Sequence, residues 1–227
     1  MEVYRVEVVE IEQSRDLGIE LLEFGPLDGC LCEIWLDAEG RRHRKGGPAL
    51  AVRRLDTGTI VMEAFYQHGK LHREDGGPAR YGEAGSPETR SEEWFIDGEL
   101  SREGAPARIV KERDIIVIEQ WCRAGKDHRE YWPARIVRSD EGHPFAEYWY
   151  LDGIPHNPHG PAKIQRSEDN AVVTEEEWLQ HGLRHRLDGP AYIERDGHTG
   201  AITNQEFYLR GQRVQPFMSP TPVGPRP

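Results

Sequence analysis

The chain has 227 residues, of which 37% are apolar and 30% charged, and its six Trp, eight Tyr and six Phe exclude a disordered polymer. Lys and Arg total 29 against 40 Asp and Glu, a net charge of −11. That balance argues against direct binding to a phosphate backbone, which needs clustered bases, and favours a basic protein partner. No stretch reaches the ~18 apolar residues of a membrane-spanning helix.

Residues 1–29 hold eight acids and only Arg5 and Arg15 as bases, so more than half the net charge lies there. The alternating "YRVEVVEIE" predicts a capping strand or hairpin, and Glu7, Glu10 and Glu12 are its candidate partner-steering acids. The start carries no apolar secretion segment, and the three cysteines, Cys30, Cys32 and Cys122, suit free structural thiols in a reducing compartment. The address these features predict is the cytoplasm.

From residue 30 the chain repeats. A turn glycine recurs at Gly40, Gly69, Gly98, Gly125, Gly153, Gly182 and Gly211, in steps of 27 to 29 residues. A Pro-Ala pair follows eight or nine residues later at Pro48, Pro78, Pro106, Pro133, Pro161 and Pro190. An aromatic residue precedes the glycine by four positions at Phe65, Trp94, Trp121, Trp149, Trp178 and Phe207, and by five at Trp35. Two residues before each aromatic stands Glu33, Glu63, Glu92, Glu119, Glu147, Glu176 or Gln205.

Each unit therefore reads as strand, turn, turn, strand. "EEWFI", "EYWYL" and "QEFYL" are strand-forming, the x-Gly pairs suit tight turns, and Pro opens a second strand where its missing N–H does least harm. The fold class predicted is all-β: an elongated antiparallel sheet of tandem ~28-residue hairpin repeats, with six full repeats and a partial seventh over residues 30–214. "PFMSPTPVGPRP" has five Pro in twelve residues, and residues 215–227 read as a solvated tail.

A second pattern overlies the turns. His lies three residues after the glycine at His43, His72, His128, His156 and His185, replaced by Ser101 and Val214 in two units. Arg follows at Arg44, Arg73, Arg102, Arg129 and Arg186, with Asn157 in the fifth unit. A two-residue turn sets Trp178 opposite His185, Trp121 opposite His128 and Trp149 opposite His156. One position further out it sets Glu177 opposite Arg186 and Glu93 opposite Arg102, and Arg186 can also reach Asp188 or the turn carbonyls.

Residues spread one per unit do not converge on a point. Zinc needs three or four converging ligands, and acid–base chemistry needs a pocket with a partner group. The expectation is therefore no catalytic residue, no metal and no cofactor. Trp94, Gly98, Trp121, Gly125, Trp149, Gly153, Trp178, Gly182, His185 and Arg186 are structural repeat positions.

These units resemble MORN-type repeat proteins through their aromatic-x-x-x-Gly segments, such as Trp94 to Gly98 and Trp178 to Gly182. They also resemble the "HRxDGPA" repeats of bacterial and viral proteins through His72-Arg73 with Pro78-Ala79 and His185-Arg186 with Asp188-Gly189-Pro190-Ala191. The resemblance covers roughly residues 30–214 and implies scaffolding or binding, bacterial antitoxins included. The residues next to the aromatics, Tyr66, Phe95, Tyr150 and Tyr208, are apolar as well. Either the sheet curls to bury one face, or an apolar strip stays open for a partner or a second copy. Those four rings are the candidate contacts. The function expected is that of a non-catalytic immunity protein, antitoxin or phage-type inhibitor of a basic, nucleic-acid-directed protein. A self-assembling scaffold and a hydrolase built on His and Glu of one divergent repeat are the alternatives.

Overall fold

The computed structural model describes residues 4–11 and 27–215. Glu12 and the Pro-rich segment after Gln215 lie outside the described residues. The described chain is all-β. Its main element is a fifteen-stranded antiparallel sheet in which neighbours follow chain order, from Arg5–Ile11 at one edge to Gln212–Val214 at the other. The two edges do not pair, so the sheet stays open. It is not closed into a barrel.

Two kinds of connection alternate along this sheet. One is a hairpin turn, as between Arg108–Glu112 and Ile115–Gln120. The other is a short two-stranded arm that leaves the sheet and returns, as Phe95–Ile96 with Glu99–Leu100 between Thr89–Glu93 and Arg108–Glu112. Equivalent arms pair Tyr66–Gln67 with Lys70–Leu71, Cys122–Arg123 with Lys126–Asp127, Tyr150–Leu151 with Ile154–Pro155, and Leu179–Gln180 with Leu183–Arg184.

The repeated aromatic is the hinge between sheet and arm. Trp94, Trp121, Trp149 and Trp178 each fall in the gap between a sheet strand and an arm strand. Each donates its backbone N–H to the alanine of the Pro-Ala pair, Trp94 to Ala107 and Trp121 to Ala134 at 2.8 and 2.7 Å. That alanine's own N–H goes to the next sheet strand, Ala107 to Gln120 and Ala134 to Tyr148, both at 2.8 Å. The alanine is thus wedged between two backbones. All six (Ala49, Ala79, Ala107, Ala134, Ala162, Ala191) are at most 2% exposed, which explains why no larger residue occupies the slot.

Sheet faces differ. On one, a cross-strand row runs Tyr81, Glu92, Ile109, Glu119, Ile136, Glu147, Ile164, Glu176, Ile193. In four hairpins a bulge beside the turn aims a base at the glutamate of the preceding strand. Lys111 meets Glu92 at 3.1 Å, and Arg138, Arg166 and Arg195 meet Glu119, Glu147 and Glu176 at 2.6 Å. The arms reach back over the other face. Asp127 there accepts from Gln120 and Arg135, and Arg184 pairs with Glu177 and Glu206. A thicker core forms at the N-terminal end, where Ile11, Leu27, Cys30, Cys32, Leu50, Val52, Val61 and Met62 are buried together.

The arm turns need positive φ at both central residues, as in Asp97 at 52° with Gly98 at 88° and Asp152 at 50° with Gly153 at 80°. A β-branched residue at Gly98 is the costly case, since its Cβ meets the chain in a conformation L residues rarely adopt. Gly98→Val should lower stability by about 1–3 kcal/mol in denaturant unfolding. An unchanged midpoint would show the turn to be misassigned.

Candidate partner-binding surface

The repeated histidines join one unit to the next. Nδ1 of each accepts the backbone N–H of the left-handed turn residue in the following unit. His43 accepts from His68, His72 from Asp97, His128 from Asp152, His156 from His181 and His185 from Arg210, at 3.1 to 3.3 Å. In the third unit Ser101 Oγ takes the same role toward Ala124 at 3.3 Å. The adjoining turn glycine donates to the carbonyl just before the histidine, as Gly98 to Leu71 and Gly153 to Asp127 at 2.9 and 2.8 Å. At two junctions the same Nδ1 also lies near the turn carboxylate, 3.0 Å from Asp152 for His128 and 3.8 Å from Asp97 for His72.

In the units of Trp94 and Trp178 the arginine after the histidine or its serine replacement does not pair with the facing glutamate. It folds back over the hinge aromatic, with its guanidinium 3.6 Å from the ring centroid for Arg102 over Trp94 and 3.8 Å for Arg186 over Trp178. Its Nη1 donates to the proline carbonyl, Arg102 to Pro106 and Arg186 to Pro190 at 3.3 Å. This corrects the pairings Glu93–Arg102 and Glu177–Arg186. The chain beyond the histidine turns away to make the Pro-Ala slot, so Glu93 instead meets Arg80 and Arg108, and Glu177 meets Arg184. Arg186 does reach Asp188, at 2.9 Å, and holds that carboxyl below its ordinary range.

Among the described residues no three His, Cys, Asp or Glu side chains gather where a metal ion could sit. The thiols are buried and unbridged. Burial pushes Cys32 up to about 11 and, with Asp127 adding to it, Cys122 up to about 12, and it also raises Cys30. None of the three is a nucleophile at neutral pH.

Of the acids proposed for steering, Glu7 and Glu10 lie on the sheet's edge strand. Glu7 and Glu10 are exposed opposite Ile34 and Leu31. Of the four candidate rings, Tyr66 is buried, with Arg42 against its face and on its hydroxyl, so it offers no contact surface. The tight N-terminal core covers it. Phe95, Tyr150 and Tyr208 are half-buried. Tyr150 lines a cleft of about 260 Å³ with Tyr148 and Leu179. The turns before Pro-Ala hold what the sequence reading passed over. Tyr131 and Trp132 are 82% and 65% exposed in the slot where other units carry a glycine such as Gly77 or Gly189. The signal was present, since no other unit puts aromatics there.

No protein-family model matches the chain, and no curated protein matches it. The likeness to MORN-type units rests on the residues quoted above. Among the described residues no helix is long and apolar enough to cross a membrane.

The ladder makes one junction sensitive to acid. His156 faces His181, with ring centroids 4.5 Å apart, and burial followed by that second imidazole lowers its pKa from the ordinary 6.5. A lowered histidine pKa means the unfolded chain takes the proton first. The stabilisation is complete above pH 6.5 and is lost as pH falls below it. His156→Ser should keep an acceptor that does not titrate, as Ser101 does. Melting temperatures between pH 7 and 5 should fall less steeply for that variant than for the wild type. Equal slopes would remove His156 from the ladder's pH response.

Proposed function

We propose that this chain is a non-catalytic binding protein of the cytoplasm that holds a basic protein partner, in the manner of an immunity protein, antitoxin or phage-type inhibitor. The observation that carries this reading is how the repeat spends its reactive side chains. The ladder histidines accept turn N–H groups, the row of glutamates pairs with bulge bases, and the arginines cover aromatic rings, so each is committed once per unit to holding the ribbon together. What is left for a ligand is surface: an open ribbon, clefts between successive turns, and an acidic edge. A net charge of −11 attracts a basic surface and repels nucleic acid.

One observation favours a second reading, assembly with itself. Strand Arg5–Ile11 forms the sheet's edge, with Val6, Val8 and Val9 at 44%, 58% and 41% exposure. Exposed edge strands are templates for pairing, and natural chains blunt them with charge. Glu7 and Glu10 supply that charge here.

The two readings separate experimentally. With the partner recovered from the host, replacing Glu7, Glu10 and Glu12 by Gln should slow association and flatten its salt dependence, because exposed charges are screened beyond a Debye length of about 8 Å at physiological ionic strength. Dissociation should change little. Identical stopped-flow on-rates at low salt would rule out steering. If self-assembly is the function instead, sedimentation of the wild type should show concentration-dependent association that Val8→Lys abolishes.

A further inference from the structure

In five of the six complete units the hinge aromatic is covered by its own arginine. The guanidinium carbons of Arg44, Arg73, Arg102, Arg129 and Arg186 lie 3.8, 4.1, 3.6, 3.7 and 3.8 Å from the ring centroids of Trp35, Phe65, Trp94, Trp121 and Trp178. The fifth unit departs from the series. Asn157 occupies the arginine's slot, and among the described residues no cation lies over Trp149.

Asn157 keeps half of the arginine's role. Its Nδ2 donates to Pro161 O at 2.9 Å, where the five arginines donate Nη1 to their proline carbonyls at 3.3 Å. The turn is therefore still latched. The amide is too short to supply the other half, the planar cation over the ring. In front of Trp149 a cleft of about 330 Å³ opens instead, walled by Tyr131 and Glu130 of the preceding turn.

The walls of this cleft differ from those of its counterparts. The one at Phe65 contains Arg44 and Arg73, and the one at Trp121 contains Arg102, Arg123 and Arg129. The Trp149 cleft has no lysine or arginine in its wall. It has two aromatic residues, one of them the most exposed tyrosine of the chain, and the carboxylate of Glu130. An electron-rich ring face with a nearby carboxylate attracts a weakly hydrated planar cation.

We propose that the Trp149 cleft receives an arginine side chain from the partner, its guanidinium on the Trp149 indole and its charge toward Glu130. The ligand chemistry is read from the molecule itself, which places a guanidinium on the equivalent ring five times. The inference rests on the reading of the chain as a receptor for a basic protein, and it names the contact. Tyr131 extends the aromatic wall along the aliphatic stem of the entering side chain.

The test needs no natural partner. The probe is a short glycine peptide with one central arginine, titrated into the ¹⁵N-labelled full chain while the indole N–H signals are followed. The Trp149 signal should shift saturably while those of Trp35, Trp94, Trp121 and Trp178 stay in place. The matching peptide with citrulline, neutral but of the same shape, should leave it unmoved. Asn157→Arg should fill the cleft from within, weaken the peptide by about tenfold or more, and leave the melting temperature unchanged or higher. Should that variant fold poorly, Glu130→Gln with Tyr131→Ser, both on the exposed turn, should weaken the arginine peptide while leaving the melting temperature in place. No shift at Trp149, an equal response to citrulline, or full binding by well-folded Asn157→Arg would each overturn the proposal. Its failure is distinct from failure of the partner reading: salt-steered association with a Trp149 that ignores arginine would keep the partner and lose this site. Arginine capture without such association would do the reverse.

Discussion

Everything in this fold depends on where two N–H groups go. A two-residue turn with positive φ at both positions points its backbone donors outward, and a chain of such turns in water would leave them to solvent. Here each pair is handed to the unit before. His181 and Gly182, for instance, donate to the His156 ring and the Pro155 carbonyl. Next to them the N–H of Asn157 crosses to Leu179, as that of Arg186 crosses to Tyr208. Every junction is therefore closed by short, directional bonds between neighbours. Such a ribbon holds together by nearest-neighbour contacts, which is the energetic logic of repeat proteins generally.

That logic explains how so polar a chain folds. Beyond the N-terminal cluster around Met62 and Leu50, few large side chains are fully buried, and the recurrent buried residue is the alanine after proline. Packing is carried by pairs whose parts are both useful and half-exposed. An arginine lies flat on an indole and caps a proline carbonyl. A glutamate faces an isoleucine across the sheet and meets a base set by a bulge. Planar and aliphatic stems cover apolar surface while their charges stay near water. The thin ribbon needs no second sheet, because the arms fold over one face and the ion-paired row covers the other.

Much of this could be read from the sequence, since period is the most robust signal a chain carries. The turn glycines, the Pro-Ala pairs and the facing of Trp178 and His185 all follow from spacing, and the backbone bond from His185 to Trp178 at 2.9 Å sits where two-residue turn geometry puts it. The pairing of Glu177 with Arg186 failed for a local reason. Strand register extrapolates only while the strand lasts, and Trp178 is where this one stops. Side-chain alternation could not reveal that hinge, because Trp178 and Leu179 are both apolar. The histidines' acceptor role lay beyond reach as well. It joins residues about 25 positions apart, and only the stacking of one arm on the next brings them together.

Repetition also gives a way to separate what the fold requires from what it permits. A slot occupied alike in nearly every unit is answering a shared backbone need, as Ala does between two sheet strands and His or Ser does at the junction. A slot that departs while its structural duty is still met is free to answer something else. Asn157 meets the proline carbonyl and abandons the ring. Tyr131 and Trp132 replace a turn residue and gain no burial. The exchange at position 157 removes the cation that lies over the ring in the other complete units, and the exposed Tyr131 of the preceding turn lines the cleft there. Tyr131 and Trp132 leave apolar surface in water without gaining burial in the ribbon. The coincidence of both changes at one junction of an acidic ribbon gives that junction a chemistry the others lack. The fold's own bonds persist there, with Asn157 latching the turn to Pro161 and His156 accepting the N–H of His181 from the next arm.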